Sequence, residues 1–376
     1  MESNRNGDLL RELVHEILLR LPVKALLRCK CVCKEWCALI RSPSFVDRHF
    51  SHESNPECLI FRLHEKLGVD CNPYAFAMYQ DVERHSRVEE SNHLPRMPTS
   101  FRVLDFIGPA KGVFCVLNDL GLVGLFNPAM REFKTLPPLP LHDVSEMESW
   151  PSCGFGLEPS SGDHKVFAFQ KWNSQRFACV YSLSSNSWKR IEDVGPLNVC
   201  SGGDSVCEPF LNGVYHWHAN LRNGGGFAIL AFDMRNDKFQ VIQVPDCLRS
   251  SQRKLRIAAY GDSLAVMSYK FHECVDFWVM GRDGLWNKIF SIGPFSENVW
   301  PICVWKKREV LLETNTSSMT MCDISTMKLR RPLPELDQEF YPCAVFCYKE
   351  SLVSIKGEGE GEGEGDEAYF VRDFFD

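Results

Sequence analysis

The first fifty positions of the chain carry apolar residues at the spacing of amphipathic helices. The pattern predicts a first helix with Asp8 as its N-cap, which stops at Pro22 because proline cannot continue a helix. Gaps of three and four residues separate its apolar positions, which places them on one face. These positions are Leu10, Leu13, Val14, Ile17, Leu18 and Leu21.

Two further short helices are predicted before Ser42-Pro43, which acts as a breaker. A module of this size has only marginal stability by itself, so its apolar faces must pack against the rest of the chain or against a partner. The apolar positions of the second helix are Leu26, Leu27 and Cys31. Those of the third helix are Val32, Trp36, Leu39 and Ile40.

From Glu57 onward the pattern changes to short apolar or alternating runs, separated by Gly, Pro, Asn and Asp. Runs such as GVFCVLN, FACVYSL and FAILAFD are typical of strands, and no long helical pattern interrupts them. We therefore expect a small all-α module over residues 1–50 and an all-β domain over 57–376. Residues 51–56 form a polar connector, short enough to hold the two parts close together.

The all-β part contains an internal repeat, marked by two apolar residues seven or eight positions apart. A period of about 40–50 residues with four short strands per unit indicates a β-propeller. Five units are counted between Phe101 and Pro334, and residues 57–93 and 340–356 are expected to pair into another blade. Six blades are expected, with seven as the alternative. The repeated pairs are Phe126/Phe133, Tyr181/Trp188, Phe232/Phe239, Trp278/Trp286 and Cys322/Leu329.

Three motifs in the first fifty residues resemble an F-box of the type common in plants. They are E-I-L-x-R-L-P-V-K from Glu16 to Lys24, C-V-C-K-x-W from Cys31 to Trp36, and S-P-S-F from Ser42 to Phe45. Leu9-Leu10 stands where such modules usually have Leu-Pro. The phrases FNPAMREFKTLPPLP and ILAFDMRNDKFQVIQVP resemble F-box-associated and kelch-like propellers. Most of the Gly-Gly pairs typical of kelch blades are missing, which favours the F-box-associated type.

This resemblance implies a substrate-recognition subunit of an SCF-type (Skp–cullin–F-box) E3 ubiquitin ligase. The helices would dock on a Skp-type adaptor, and through it on cullin and a RING protein, while the propeller holds a protein target. The chain itself would perform no chemistry, since its contribution is proximity. The residues expected to contact the adaptor are Leu10, Leu13, Ile17, Leu18, Leu21, Pro22, Val32 and Trp36.

Other interpretations remain open from the sequence. One is a propeller scaffold without a ligase, and another is an enzyme that uses the propeller's channel. A narrower version of the ligase reading is an S-locus-type F-box protein that recognises a ribonuclease. The target is unknown, and its contacts are expected in loops between strands. The candidate loops are Leu141–Trp150, Trp172–Arg176, Asn220–Gly226 and Ser296–Val299.

Charge and hydropathy exclude several classes of partner. The net charge of −7 divides into +3 for residues 1–50 and −10 for the rest, so neither part has the basic excess of a nucleic-acid-binding protein. No apolar run is long enough to span a bilayer, and the polar start of the chain lacks a secretory h-region. We expect no nucleic acid, no membrane, and a cytoplasmic or nuclear location or both. The alternating Gly-Glu run over residues 357–366 is expected to be disordered and dispensable for folding.

Candidate metal ligands and catalytic motifs are weak. Cys29, Cys33 and Cys37 lie four residues apart, but along one helix they would span about 12 Å, too far for one zinc ion. We interpret them as buried helix-packing thiols. His216 and His218 would face the same side of a strand, and we interpret them as residues of a half-buried strand. No P-loop, G-x-S-x-G or H-E-x-x-H motif is present, so no metal, no cofactor and no catalytic residue is expected.

Overall fold

The fold was analysed in a computed structural model of the 376-residue chain. No helix within the described residues is long and apolar enough to cross a bilayer. The described residues are 2–65, 75–82, 85–90, 101, 103–118, 120–140, 152–172, 175–192, 208–220, 226–249, 252–315, 319–330 and 340–356.

Four helices come first and are followed by a β-rich domain. The helices are α1 (Glu2–Leu19), α2 (Val23–Cys29), α3 (Lys34–Arg41) and α4 (Pro43–Ser51). We call residues 2–51 the helical module. A one-turn helix, α5 (Asp246–Arg249), lies within the β-rich domain.

Every strand of the domain belongs to an antiparallel sheet of four strands. Five sheets are each made from four consecutive strands. The first sheet contains β4 (Val103–Ala110), β5 (Val113–Asn118), β6 (Val123–Asn127) and β7 (Glu132–Thr135). The second contains β8 (Ser152–Leu157), β9 (His164–Trp172), β10 (Gln175–Ser182) and β11 (Ser187–Ile191). The third is β12 (Phe210–Leu211), β13 (Val214–Asn220), β14 (Phe227–Asp233), β15 (Lys238–Ile242). The fourth contains β16 (Lys254–Tyr260), β17 (Ser263–Tyr269), β18 (Val275–Met280) and β19 (Trp286–Ile292). The fifth contains β20 (Val299–Trp305), β21 (Glu309–Thr314), β22 (Met319–Asp323) and β23 (Leu329–Arg330).

The other sheet is composite, because its strands come from both ends of the domain. It contains β24 (Phe340–Tyr348), β1 (Cys58–Glu65), β2 (Ala75–Val82) and β3 (His85–Glu90), in that spatial order. The pairing of β24 with β1 is the contact expected between residues 57–93 and 340–356. Leu59 and Phe61 pack against the fifth consecutive sheet at Trp305, and Phe346 packs against the first at Phe114. The composite sheet therefore closes the ring.

The expected blade number of six or seven needs correction. Five blades are built as the repeat requires, each from one continuous segment of four strands. The closing sheet is not a further copy of that unit, because β1, β2 and β3 supply only three strands and the chain returns more than 200 residues later to add β24. The described residues form no seventh sheet.

The repeated residue pairs mark the outer hairpin of each blade. Phe126 lies opposite Phe133, and Tyr181 lies opposite Trp188. Phe232 and Phe239 are also register partners, as are Cys322 and Leu329. The pair Trp278/Trp286 is one residue longer, and here a register shift in the hairpin sets Trp278 opposite Lys288.

At three of the five repeated pairs, the second residue makes a contact between neighbouring blades, as Phe239 does with Phe167. Trp188 and Phe239 are half-buried, whereas their partners Tyr181 and Phe232 are fully buried. The indole N–H of Trp188 donates to the carbonyl of Pro137 in the preceding blade, at 2.8 Å. The indole of Trp286 makes the equivalent bond to Gln243, at 2.9 Å. The repeat therefore also joins neighbouring blades.

Antiparallel order divides the connections of the five consecutive blades between two faces. Turns between first and second strands, and between third and fourth strands, lie on one face, which we call the proximal face. Turns between second and third strands, and the connections between blades, lie on the opposite or distal face. The proximal turns are short, such as 111–112 and 128–131. The distal face receives the longest connections, 136–151 and 192–209.

Candidate partner-binding surface of the helical module

Two of the short helices of the module begin with a side-chain cap. The Cys33 sulfur accepts a hydrogen bond from the Trp36 amide at 3.4 Å and starts α3. The Ser42 hydroxyl accepts from the Phe45 amide at 3.3 Å and starts α4, with Pro43 at the first helical position. Such caps satisfy amide groups that have no partner inside the helix. Ser42-Pro43 thus ends α3 and also begins a helix.

The four helices share one apolar core with the propeller. Leu352 belongs to this core although it follows the last strand of the domain. Ala129, Met130 and Val353, also from the propeller, pack on it. The buried apolar residues contributed by the module are Leu18, Leu19, Val23, Leu26, Ile40, Phe45 and Val46.

His49 fixes the position of α4 against the end of α1. Its ring nitrogen Nε2 lies 2.8 Å from the carbonyl oxygen of Leu21, and its ring stacks on Phe45 with centroids 6.2 Å apart. Burial lowers the pKa of His49, although the hydrogen bond to Leu21 acts in the opposite direction. The side chain therefore favours the neutral form, in which Nε2 donates to Leu21.

Polar contacts between the module and the propeller centre on residues 349–356, which we call the seat. The Glu350 carboxylate accepts from the Val23 amide at 3.3 Å, and the Glu350 carbonyl accepts from the Asn55 side chain at 2.9 Å. Burial raises the pKa of Glu350, whereas the bond from Val23 lowers it. Asp47 of α4 also pairs with Lys111 in a proximal turn. These contacts place the module on the proximal face.

Asn127 holds the seat in place from the first consecutive blade. Its side-chain amide is fully buried and donates to the carbonyls of Ser351, at 3.2 Å, and Val353, at 2.7 Å. Its side-chain oxygen accepts from the Met130 amide at 3.2 Å. One side chain therefore orders both the seat and the proximal turn on which the helices pack.

We expect Asn127→Ala to lower the free energy of unfolding by about 2–4 kcal/mol, because it removes the side chain that bonds the carbonyls of Ser351 and Val353 and the amide of Met130. Chemical denaturation measures this change, and partial proteolysis should show earlier cleavage within residues 2–51. Asn236→Ala is the matched control, since exposed Asn236 bonds only within its own turn. The control should stay within about 0.5 kcal/mol of wild type. Equal stability of both variants would contradict the role given to Asn127.

Two described apolar side chains of α1 lie outside this core and are exposed. Leu13 is 53% exposed and Ile17 is 60% exposed, and their spacing of four places them on one face of the helix. Val32 is 65% exposed in the turn between α2 and α3. Single exposed apolar side chains are common on protein surfaces, but Leu13 and Ile17 lie next to each other on a helix whose other face is already packed, which suits a binding surface.

Two family models match the chain in the order of its two parts. The model of the F-box domain matches residues 8–48, and that of the F-box associated beta propeller domain matches residues 59–316. The second match alone covers more than half of the chain. This chain belongs to the F-box proteins with an F-box associated propeller.

Curated relatives agree with this assignment. The F-box protein CPR1 of Arabidopsis thaliana is 25% identical over 366 residues, with 85% of this chain and 82% of the relative covered. The F-box/kelch-repeat protein At3g23880 of the same plant is 26% identical over 338 residues, with coverages of 86% and 89%. The similarity therefore extends over the F-box and the propeller together.

Seven of the eight predicted contact residues of the F-box have described side chains, which are exposed, half-buried or buried. Leu13, Ile17, Val32 and Pro22 are exposed, and Leu21 and Trp36 are half-buried at the edge of the core. Leu18 is 1% exposed, so it supports the module from inside and is unavailable to a partner. Leu10 lies in α1, and its side chain is outside the described part of the chain.

Several local expectations for the F-box helices were wrong. Asp8 is not an N-cap, because α1 already begins at Glu2. Cys31 and Val32 lie in a turn rather than in helices, because α2 ends at Cys29 and α3 starts at Lys34. Pro22 is the residue before α2, whereas α1 ends at Leu19.

The predicted cysteine stripe does not form. Cys29 ends α2 and Cys33 caps α3, so these residues and Cys37 do not share one helix. None of them is fully buried, contrary to expectation, and Cys31 and Cys33 are exposed. Within the described ranges, no group of three or more His, Cys, Asp or Glu side chains is arranged to hold a metal ion.

The two histidines of β13 make separate contacts. His216 is buried and its Nδ1 lies 3.1 Å from the carbonyl of Pro209. His218 is half-buried beside the ring of Phe227, with centroids 4.7 Å apart. Burial lowers the pKa of both histidines. Both histidines thus lie on a strand, as expected, and His218 is half-buried, whereas His216 is more buried than expected.

The four candidate target loops attach to strands at the distal face, opposite the F-box. They connect β7 to β8, β9 to β10, β13 to β14, and β19 to β20. Of these loops, residues 141–150, 173–174 and 221–225 lie outside the described residues, as does the Gly-Glu run. Ser296–Val299 is described, with Ser296 exposed and Val299 buried.

The seat is the part of this site that the sequence analysis missed. Asn127, Glu350 and Leu352 carried no functional prediction. The phrase FNPAM contains Asn127, but it had been used only to define the repeat. The sequence signal that could have pointed to it is a polar asparagine directly after the apolar run Val123–Phe126, where a buried side chain would need hydrogen-bond partners.

Proposed function

We propose that this F-box protein is the substrate-recognition subunit of an SCF-type E3 ubiquitin ligase. The F-box binds a Skp-type adaptor, and through it cullin and a RING protein, while the distal face of the propeller binds the target protein. The ligase then transfers ubiquitin to lysines of that target. The chain itself contributes proximity and orientation rather than a reacting group.

One observation carries this proposal. The F-box buries one set of apolar residues on its own propeller and leaves another set, Leu13 and Ile17 on α1, exposed to solvent. Packing on the propeller therefore does not account for the second set. An apolar helix face of this kind fits a helix-and-groove interface with aliphatic anchors.

The arrangement of the two faces supports a division of labour. The F-box occupies the proximal face, where its Asp47 pairs with Lys111 and where Ala129 and Met130 of the propeller pack on its core. The long connections 136–151 and 192–209 join strand ends at the distal face, where sequence can vary without disturbing the strands. A target bound there would not compete for space with an adaptor on α1.

Mixing the purified chain with a purified Skp-type adaptor tests the proposal directly. We expect a stable one-to-one complex in size-exclusion chromatography, with a dissociation constant measurable by calorimetry. Absence of any complex at micromolar concentrations would overturn the ligase function and favour a scaffold without a ligase.

A further inference from the structure

The turn between α2 and α3 carries an excess of positive charge. We call residues 28–34 together with Arg41 the basic corner. Arg28, Lys34 and Arg41 are exposed and, within the described part of the chain, form no salt bridge. Lys30 is half-buried among them; burial and the charge of Arg41 lower its pKa, whereas Glu132 raises it. Exposed Val32 lies in the same turn.

The seat ends beside this corner. The Glu132 carboxylate accepts a hydrogen bond from the Ile355 amide at 2.8 Å and from the Ser354 hydroxyl at 3.0 Å. Val353, two residues before Ile355, packs on the same apolar core as Leu27 and Cys29, which lie at the end of α2 beside the corner. Lys356 is the next residue and is exposed. The chain that follows Lys356 therefore starts next to the basic corner.

The following segment, residues 357–376, is strongly acidic. It contains eight acidic residues and one arginine, a net side-chain charge of −7. This equals the net charge of the whole chain, so residues 1–356 carry as many basic as acidic side chains. The segment also contains aromatic residues that suit an apolar contact such as Val32. These are Tyr369, Phe370, Phe374 and Phe375.

We propose that the acidic segment, residues 357–376, docks on the basic corner of its own F-box and competes with the adaptor there. The competition rests on the proposed function, since Val32 and Trp36 are expected adaptor contacts. Twenty residues can extend to about 70 Å at most, so the segment can reach the corner next to which it begins. Tethering raises its local concentration to the millimolar range, which makes a weak contact effective.

The strength of this contact depends on ionic strength. The attraction between the corner and the acidic segment is electrostatic, and 0.5 M salt screens such attraction beyond a few ångströms. The adaptor must displace the segment, so its apparent affinity at low salt equals its intrinsic affinity multiplied by the fraction of chains in which the corner is free.

Adaptor affinity of the full chain and two variants measures the competition. One variant ends after Lys356, and the other has glutamine at positions 358, 360, 362 and 364. We expect both to bind a purified Skp-type adaptor about threefold to tenfold more tightly than wild type at low salt, with no difference at 0.5 M salt. A variant with serine at Gly359, Gly361 and Gly363 keeps all charges and should behave as wild type. Equal affinities of wild type and both charge variants would overturn the competition.

Carbodiimide cross-linking tests the contact without the adaptor. This reagent joins carboxylates to amines in direct contact, and mass spectrometry should find residues 357–376 linked to Lys30 or Lys34. Links only to lysines outside the corner, or none, would overturn the docking. If the adaptor binds no form of the chain, the ligase function fails, and the cross-links still decide whether the segment occupies the corner.

Discussion

Phe232→Ala is expected to lower the free energy of unfolding by about 3–5 kcal/mol. Phe232 is fully buried, and its ring stacks on Phe167 of the preceding blade with centroids 4.5 Å apart. It also packs against Phe239, its own hairpin partner, at 4.9 Å. Removing the ring creates a cavity where two blades meet, and neither blade can close it without disturbing its own sheet.

Phe239→Ala provides the matched comparison, because Phe239 contacts the same rings but is only half-buried. We expect it to lower the free energy of unfolding by about half as much. Urea denaturation followed by tryptophan fluorescence measures both variants. A loss below about 1 kcal/mol for Phe232→Ala, or a larger loss for Phe239→Ala, would contradict the packing described here.

The repeat could be predicted because its spacing contains the geometry of a hairpin. Residues seven apart, such as Tyr181 and Trp188, become cross-strand partners when a four-residue turn joins two strands in register. The extra residue between Trp278 and Trp286 breaks that rule, and the structure absorbs it as a register shift. Local spacing thus determined the local pairing.

The seat could not be predicted from the sequence, because the apolar pattern of a helix does not indicate which distant residues will cover its apolar face. Leu18 and Leu352 share one core although 333 positions separate them. The apolar stripe of α1 predicted burial, but it did not distinguish the propeller from a partner. The structure divides that stripe, with Leu18 turned to the core and Ile17 to solvent.

The start of α4 was misread for a different reason. Proline stops a helix that reaches it, but it is well suited to the first position of a new one. With Ser42 as the cap, Pro43 begins a helix rather than a loop. The resulting helix supplies Phe45 and His49 to the core of the F-box.

The double variant Leu13→Asp, Ile17→Asp is expected to weaken adaptor binding at least 100-fold. Both side chains are exposed in the free protein, so aspartate there costs little stability. In a complex the two carboxylates would be buried against an apolar surface without partners, a penalty of several kcal/mol. Calorimetry with a purified Skp-type adaptor measures the loss.

Two controls make the result specific to the F-box surface. Leu285→Asp places the same charge on a leucine that is 64% exposed in the propeller, and it should bind the adaptor as wild type does. Circular dichroism of the double variant should match wild type. Leu18 and Leu21 are unsuitable for this test, because both pack in the core and aspartate there would disturb the fold. Adaptor binding by the double variant at wild-type strength would place the interface elsewhere.

Affinity purification from plant tissue with the proteasome blocked tests the central claim most directly, because it follows both partners at once. Wild type should recover the adaptor, cullin and a set of ubiquitinated target proteins. The Leu13→Asp, Ile17→Asp variant should recover the same targets without ubiquitin, and neither adaptor nor cullin. Recovery of targets by both proteins, with adaptor and cullin absent from the wild-type sample as well, would contradict the account.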